Sequence, residues 1–389
     1  MPDRRSDSGR RGSRVRANRI ELLAVGALIV SLALIAGMLA GGSSNAGSGG
    51  SAPDSTPLSA GLNDRRLAGQ RMIAGFSGHS IPAALKRGIR SGRIGGVILF
   101  ADNIRSRPAV RALNRKLQRI TRPTRLRGYR LPIMIDQEGG LVKRISGAPN
   151  ASAATMGRRG PRFSRSQGKL TGRNLKNAGV NINLAPVLDV ARPGGNIAGT
   201  DRGFGSTAAR VSRTAVPFAR GVQSVGIAAT AKHFPGLGKA SLNTDDAVQR
   251  IGLPRAVVRR IDEAPYRSFI EAGGKLVMVG TAIYPAFGPK PAAFEKKIVT
   301  GELRSRLGFS GVTITDALGT VASRSFGGPA RVAIAGAGAG MDLLLFTDYR
   351  QALKAGEALA SRIRSGKLDP GSSRKSVNRI LRLRSQLGG

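Results

Sequence analysis

Eight short apolar runs, each followed by an amphipathic stretch, constrain the fold of this chain more than any other feature. They lie at 72–76, 96–100, 132–136, 180–184, 227–232, 275–280, 311–315 and 341–346. Runs this short, bounded by Gly, Pro and polar residues, read as buried strands. Between them, segments such as 108–120, 164–178, 208–225, 254–272 and 350–365 carry apolar residues at helical spacing. Strand and helix in alternation predict a parallel sheet with helices outside. Eight such units over roughly 330 residues predict an α/β fold, a single (β/α)8 barrel. No internal repeat is visible. The run 332–340 (VAIAGAGAG) is a helix end and turn, since it lacks the strand-then-glycine order of a dinucleotide loop.

In a barrel, chemistry gathers at the C-terminal ends of the strands. Those ends carry Asp136-Gln137-Glu138, then Asp189 with the loop Asp201-Arg202, then Lys232-His233, Thr281, and Thr315-Asp316. Carboxylates among Arg, Lys and His suit recognition of sugar hydroxyls, and a pair of carboxyls suits glycoside cleavage. The richest of these loops runs from Lys232 to Asp246 (KHFPGLGKASLNTDD), placing a cation, a histidine and two carboxylates around a Gly/Pro-rich bend. Read without context, each residue also has a plain structural role. Asp316 would be a helix N-cap, Arg144 and Arg202 surface arginines, Lys232 a solvated strand end and His233 a satisfied loop histidine.

Composition removes several classes of chemistry. With no cysteine among 389 residues there is no disulfide, thiol nucleophile, thiolate metal site or lipidated cysteine. Two histidines, His79 and His233, leave no His-rich metal site, and no cofactor is expected. His79 is read as structural. No tryptophan and few aromatics mean few stacking platforms for sugars.

The N-terminal region divides the chain further. Residues 1–21 form an Arg-rich arm, expected to be cytoplasmic. Residues 22–40 (LLAVGALIVSLALIAGMLA) are uncharged and long enough to cross a bilayer, at ~1.5 Å per residue against a ~30 Å hydrocarbon core. With the arginines upstream, this predicts a single-pass signal anchor with the remainder exported; a cleaved signal, giving a secreted protein, is the alternative. Residues 41–59 are a Gly/Ser/Pro linker, and the folded domain is expected over 60–389. The formal charge of +41 favours polyanionic partners, among them anionic cell-wall polymers, although a general arginine bias would give the same number. No nucleic-acid-binding motif accompanies it.

Five segments in order, IDQEGG (135–140) with Arg144, APVLDV (185–190), DRGFG (201–205), AKHFPGLG (231–238) and LGFSGVTITDALG (307–319), resemble glycoside hydrolase family 3, in its bacterial β-N-acetylhexosaminidase branch. The resemblance covers about 60–389. It implies a (β/α)8 barrel that removes terminal β-linked N-acetylglucosamine with retention, often from peptidoglycan-derived sugars. It also implies that Asp316 is the nucleophile and that Asp136, Arg144, Arg202, Lys232 and His233 bind substrate. The chain departs from the family pattern at Ala317, where the family has a second Asp, and at Leu237, where it has a second loop His. It departs again at Asn243-Thr244-Asp245, where the family has Asp-Ser-His and uses that His as proton donor. Asp245 is the candidate acid/base, with Asp246 beside it. Burial against Leu237 and Leu242 on loop closure is the expected means of raising its pKa. A group from elsewhere in the chain, a catalytically impaired wall- or sugar-binding barrel, and a β-glucosidase or β-xylosidase of the same family are the alternatives.

Overall fold

The computed structural model describes residues 57–388. Eight parallel strands form one sheet: β1 (Met72–Ala74), β2 (Gly96–Leu99), β3 (Ile133–Ile135), β4 (Ile182–Asn183), β5 (Ala228–Phe234), β6 (Leu276–Val279), β7 (Val312–Thr315) and β8 (Leu344–Phe346). From β1 to β7 each strand pairs with the next in sequence, and β8 pairs back onto β1 with Met72 opposite Leu344. Bridges Ile314–Leu343 and Leu318–Phe346 close β7 onto β8. Thr315 N–H donates to the Leu343 carbonyl at 3.0 Å, and Leu318 N–H to that of Leu345 at 2.7 Å. All eight apolar runs of the sequence thus become barrel strands.

Alternation along each strand divides the core in two. Ile73, Ile98, Met134, Ile182, Leu184, Ala228, Leu276, Met278, Val312, Ile314, Leu343 and Leu345 fill the barrel interior. Their sequence neighbours, such as Met72, Val97, Ile133, Val277 and Leu344, pack outward against the helices. The C-terminal helix Pro370–Ser385 adds Ile380 and Leu383 to the interior cluster. Near the N-terminal ends of the strands, buried Asp342 accepts from Arg304 (2.5 Å) and Arg379 (2.7 Å) and from Thr313 N–H (2.9 Å).

The helices depart from expectation in one place. The stretch 254–272 is not one regular helix: Arg255–Val257 passes into wide π-type turns over Val258–Asp262 before Ala264–Glu271 resumes. Pro265 stands at the resumption, where its missing N–H forbids a regular continuation from the preceding turn. Similar wide turns form Lys297–Arg306.

No helix among the described residues is long and apolar enough to cross a membrane. The arm, the apolar run 22–40 and most of the linker lie outside the described residues.

Candidate active site

The interior rows of the barrel continue past the strand ends, and the next inward positions are polar. Two residues beyond Met134 comes Asp136, two beyond Ile314 comes Asp316, and four beyond Ala228 comes Lys232. Strand alternation therefore aims all three at the same axial cavity. That cavity has a volume of about 220 Å³. Ile98, Leu184, Met278 and Leu345 of the interior rows line it, together with Asp136, Arg144, Arg202, Lys232, His233, Asp245 and Asp316. All seven residues singled out from the sequence stand around one space. His79 is elsewhere, beside Lys86 and Lys116 on a separate groove.

One wall is an ion cluster centred on a residue the sequence reading left without a role. Glu138 is buried and takes a two-pronged contact from Arg202, Nη2 to Oε1 at 2.8 Å and Nε to Oε2 at 2.9 Å. Lys232 Nζ lies 2.7 Å from Glu138 Oε1 and 2.5 Å from Asp136 Oδ1. Burial alone would raise the Glu138 carboxyl, but the charges and hydrogen bonds of Lys232 and Arg202 outweigh it and hold it at about 2. Burial would likewise lower Lys232, and Asp136 and Glu138 instead raise it, so its ammonium stays charged. Gly139 and Gly140 turn the chain back directly after Glu138 with φ of 102° and 60°. A Cβ at Gly139 would meet the Ala151 carbonyl at 2.2 Å. This hairpin (Gln137–Gly139 with Val142–Lys143) brings Arg144 to the cavity. In contrast to Arg202, Arg144 has no ion-pair partner among the described residues, which leaves its guanidinium available to a ligand.

Glu138 should be the structural keystone of this wall. Glu138→Gln leaves two buried cations short of one negative charge, and breaking such a pair typically costs ~3–5 kcal/mol. The expected result is a lower melting temperature at neutral pH. Because the folded pKa is depressed from 4.5 to about 2, the wild-type advantage should be full above pH 4.5 and disappear as pH falls through about 2. Equal melting temperatures at pH 7 would remove Glu138 from this role.

A second network holds the histidine. Asp189 is completely buried and accepts from His233 N–H (3.1 Å) and Leu237 N–H (2.7 Å). Its other oxygen lies 2.8 Å from His233 Nδ1. A carboxylate here fixes the proton on Nδ1 and turns Nε2 away from Asp189 as an acceptor. The Lys232–His233 and Phe234–Pro235 peptide bonds are cis. The following bend needs glycine at 238, where a Cβ would sit 1.8 Å from the Val190 carbonyl oxygen.

Asp316 does not cap a helix. The next helix begins at Val321 after Thr320, and Asp316 Oδ1 accepts only the adjacent Ala317 N–H, at 2.8 Å. Asp245 stands at the cavity mouth on the loop after β5. Its N–H donates to Asn243 Oδ1 at 3.2 Å, and its carbonyl accepts Val321 N–H at 3.1 Å. The loop bearing Asp245 is thereby tied to the loop bearing Asp316. Although Asp245 as a residue remains solvent-exposed, its carboxyl is pushed up to about 6, first by desolvation beside the cavity and then by the negative charge of Asp316. Of the two leucines on this loop, Leu237 is buried and Leu242 is 56% exposed. Among the described residues, no group of three or more His, Asp or Glu side chains is arranged to hold a metal ion.

The family model described as the glycosyl hydrolase family 3 N terminal domain matches residues 66–383. An uncharacterized secreted glycosyl hydrolase from Arthroderma benhamiae is 37% identical over 331 residues, which is 82% of this chain and 93% of the relative. A beta-hexosaminidase from Stenotrophomonas maltophilia (strain K279a) is 33% identical over 275 residues, 67% of this chain and 78% of the relative. Among solved structures, a glycoside hydrolase family 3 beta-N-acetylglucosaminidase from Paenibacillus sp. str. FPU-7 superposes with a TM-score of 0.78 at 31% identity over 84% of this chain. The chain spans 62% of that protein's length.

Proposed function

The chain belongs to glycosyl hydrolase family 3, and on that premise we propose that it is a retaining glycosidase that removes terminal β-linked N-acetylglucosamine. The observation that carries the reading is the pair of carboxyls at one cavity, half-buried Asp316 and solvent-exposed Asp245 with a raised pKa, beside a wall of charged groups. In the first step Asp245 gives its proton to the glycosidic oxygen while an Asp316 oxygen attacks the anomeric carbon. The C–O bond to the leaving group breaks and a glycosyl ester forms. In the second step Asp245, now a carboxylate, takes a proton from water, the water oxygen attacks the same carbon, and Asp316 is released. Asp136, Arg144, Arg202, Lys232 and His233 hold the sugar hydroxyls throughout. Lys232, locked between two carboxylates, needs no reorganisation when the sugar arrives.

Specificity is tested with 4-nitrophenyl β-glycosides of N-acetylglucosamine, glucose and xylose. The expected kcat/KM for the 2-acetamido sugar exceeds the others by about 100-fold or more. Preference for glucose or xylose would make this a different glycosidase of the family. No turnover of any of the three, with no adduct on Asp316, would leave only a sugar-binding barrel.

The relative named as secreted, and the arginines ahead of the apolar run 22–40, support a domain outside the cytoplasm tethered by an N-terminal anchor. Peptidoglycan-derived sugars are then the accessible substrates. The charge of +41 would hold the domain to anionic wall polymers, and rising salt should release it from sedimented walls.

A further inference from the structure

Large aliphatic side chains that stay in water are few in this domain, and they are not scattered. Among the described residues the large exposed hydrophobics are Leu58, Leu141, Leu170, Leu242, Val248 and Val321. Three of them sit on three different connections that follow barrel strands, each next in sequence to a residue that lines the cavity. Leu141 (74% exposed) precedes Val142 on the loop after β3. Leu242 (56%) precedes Asn243 on the loop after β5. Val321 (40%) follows Thr320 as the first residue of the short helix after β7. Val248 (40%) belongs to the same loop as Leu242.

Their position matters because of what must pass them. If Asp245 protonates the glycosidic oxygen, the atoms beyond that oxygen lie beside Asp245 and outside the sugar cavity. Val321 is held there by its N–H, which donates to the Asp245 carbonyl at 3.1 Å, and Leu242 is three residues upstream on the same loop. The sugar side of the cavity is lined by ions, with Asp136, Glu138, Arg202 and Lys232 in one cluster. The lining near Asp245 instead includes Asn243, Ala317 and Thr320, and the aliphatics are exposed one residue away in sequence from the lining. On a chain with 63 lysines and arginines, the residues that line the cavity next to Asp245 and Asp316 on the loops after β5 and β7, Asn243, Ala317 and Thr320, carry no charge.

We propose that Leu141, Leu242 and Val321 form an apolar collar that selects glycosides whose leaving group presents an apolar face to the enzyme. The proposal rests on the glycosidase reading above and on Asp245 marking the leaving-group side. The collar contacts no reacting atom. It acts by burying apolar surface of the leaving group, a contribution expected to be similar in ground and transition states, and so it works through KM.

The probes are 4-butylphenyl and 4-(2-hydroxyethyl)phenyl β-N-acetylglucosaminides, which have similar leaving-group acidity and differ at the far end of the ring. Their non-hydrolysable S-linked analogues are used in parallel for calorimetric binding. Wild type should favour the butylphenyl compounds about tenfold in both kcat/KM and affinity. Leu242→Ser should reduce that preference to within about twofold, through KM, and Leu242→Met should restore it. Leu141→Ser lies on a loop that does not carry Asp245. A loss of preference there therefore cannot come from a displaced acid. All variants should keep the wild-type melting temperature, since the altered side chains are exposed.

Equal wild-type affinity for the two S-linked compounds overturns the collar. So does a variant that slows both substrates by one common factor. Self-association that disappears in the variants, with no aglycone preference, would assign the patch to a second copy of the chain and likewise overturn it. Tighter binding of the butyl thioglycoside without turnover of either O-glycoside would support the collar and count against the glycosidase reading alone.

Discussion

Asp316→Asn should lower kcat/KM on 4-nitrophenyl β-N-acetylglucosaminide by about 10⁵-fold, with no loss of folded protein. The substitution is nearly isosteric. Asp316 follows β7 as the next step of an interior row, and its backbone N–H is fixed to the Val279 carbonyl at 2.9 Å. Its one side-chain hydrogen bond, accepted from Ala317 N–H, can be accepted equally by an amide oxygen. What asparagine cannot do is form the glycosyl ester. A residual rate near wild type would therefore exclude Asp316 as nucleophile. Asp316→Gly with added azide provides a stereochemical check. The small anion enters from the face the carboxylate occupied, so the product should be the α-glycosyl azide. A β-configured azide would place the nucleophile on another residue.

How much of this site the sequence revealed follows from how local each signal is. The eight strands were legible because parallel strands buried on both faces are apolar throughout and short. The residues at their C-terminal ends were legible because barrel geometry assigns function to those ends. Asp136, Arg144, Arg202, Lys232, His233, Asp245 and Asp316 accordingly meet at one cavity. Glu138 and Asp189 lie inside recognisable segments, but their role is hidden there because it is to face partners distant in the chain. Glu138 meets Arg202 across 64 positions and Asp189 meets His233 across 44. A signal was present for Glu138: the two cations Lys232 and Arg202 need two carboxylates between them, and Glu138 lies two residues from the first, Asp136. The wide turns at Val258–Asp262 carry no comparable sequence mark, although Pro265 shows where regular helix must fail. The raised pKa of Asp245 was legible only in part: desolvation was an expected cause, whereas the charge of Asp316 comes from another loop that the barrel brings beside it.

That origin of the shift leads to a second strong effect. Asp245→Asn should slow hydrolysis of N-acetylglucosaminides with poor leaving groups by about 10²–10⁴-fold. Dinitrophenyl substrates should be slowed far less in the first step, because their leaving oxygen needs no proton. A uniform small effect across leaving groups would remove Asp245 from the acid role. The pH profile has a definite sign. The working form in the first step is the neutral acid, so wild-type kcat/KM on poor leaving groups should fall as pH rises through about 6, and the variant should lose that limb. Desolvation is the larger cause of the raised pKa and persists through the cycle, whereas the charge of Asp316 does not. Once Asp316 is esterified its negative charge is gone, and Asp245 should become more acidic than it was in the free enzyme. The residue that needs to hold a proton while the first bond breaks is thus made readier to release it, and to act as a base, when water must be activated. Asp316→Asn imitates the neutral state. Titration of the Asp245 carboxyl by NMR in that variant should give a pKa below the wild-type value of about 6. An unchanged value would show that Asp316 does not control the proton on Asp245, and the alternation between acid and base would then need another cause.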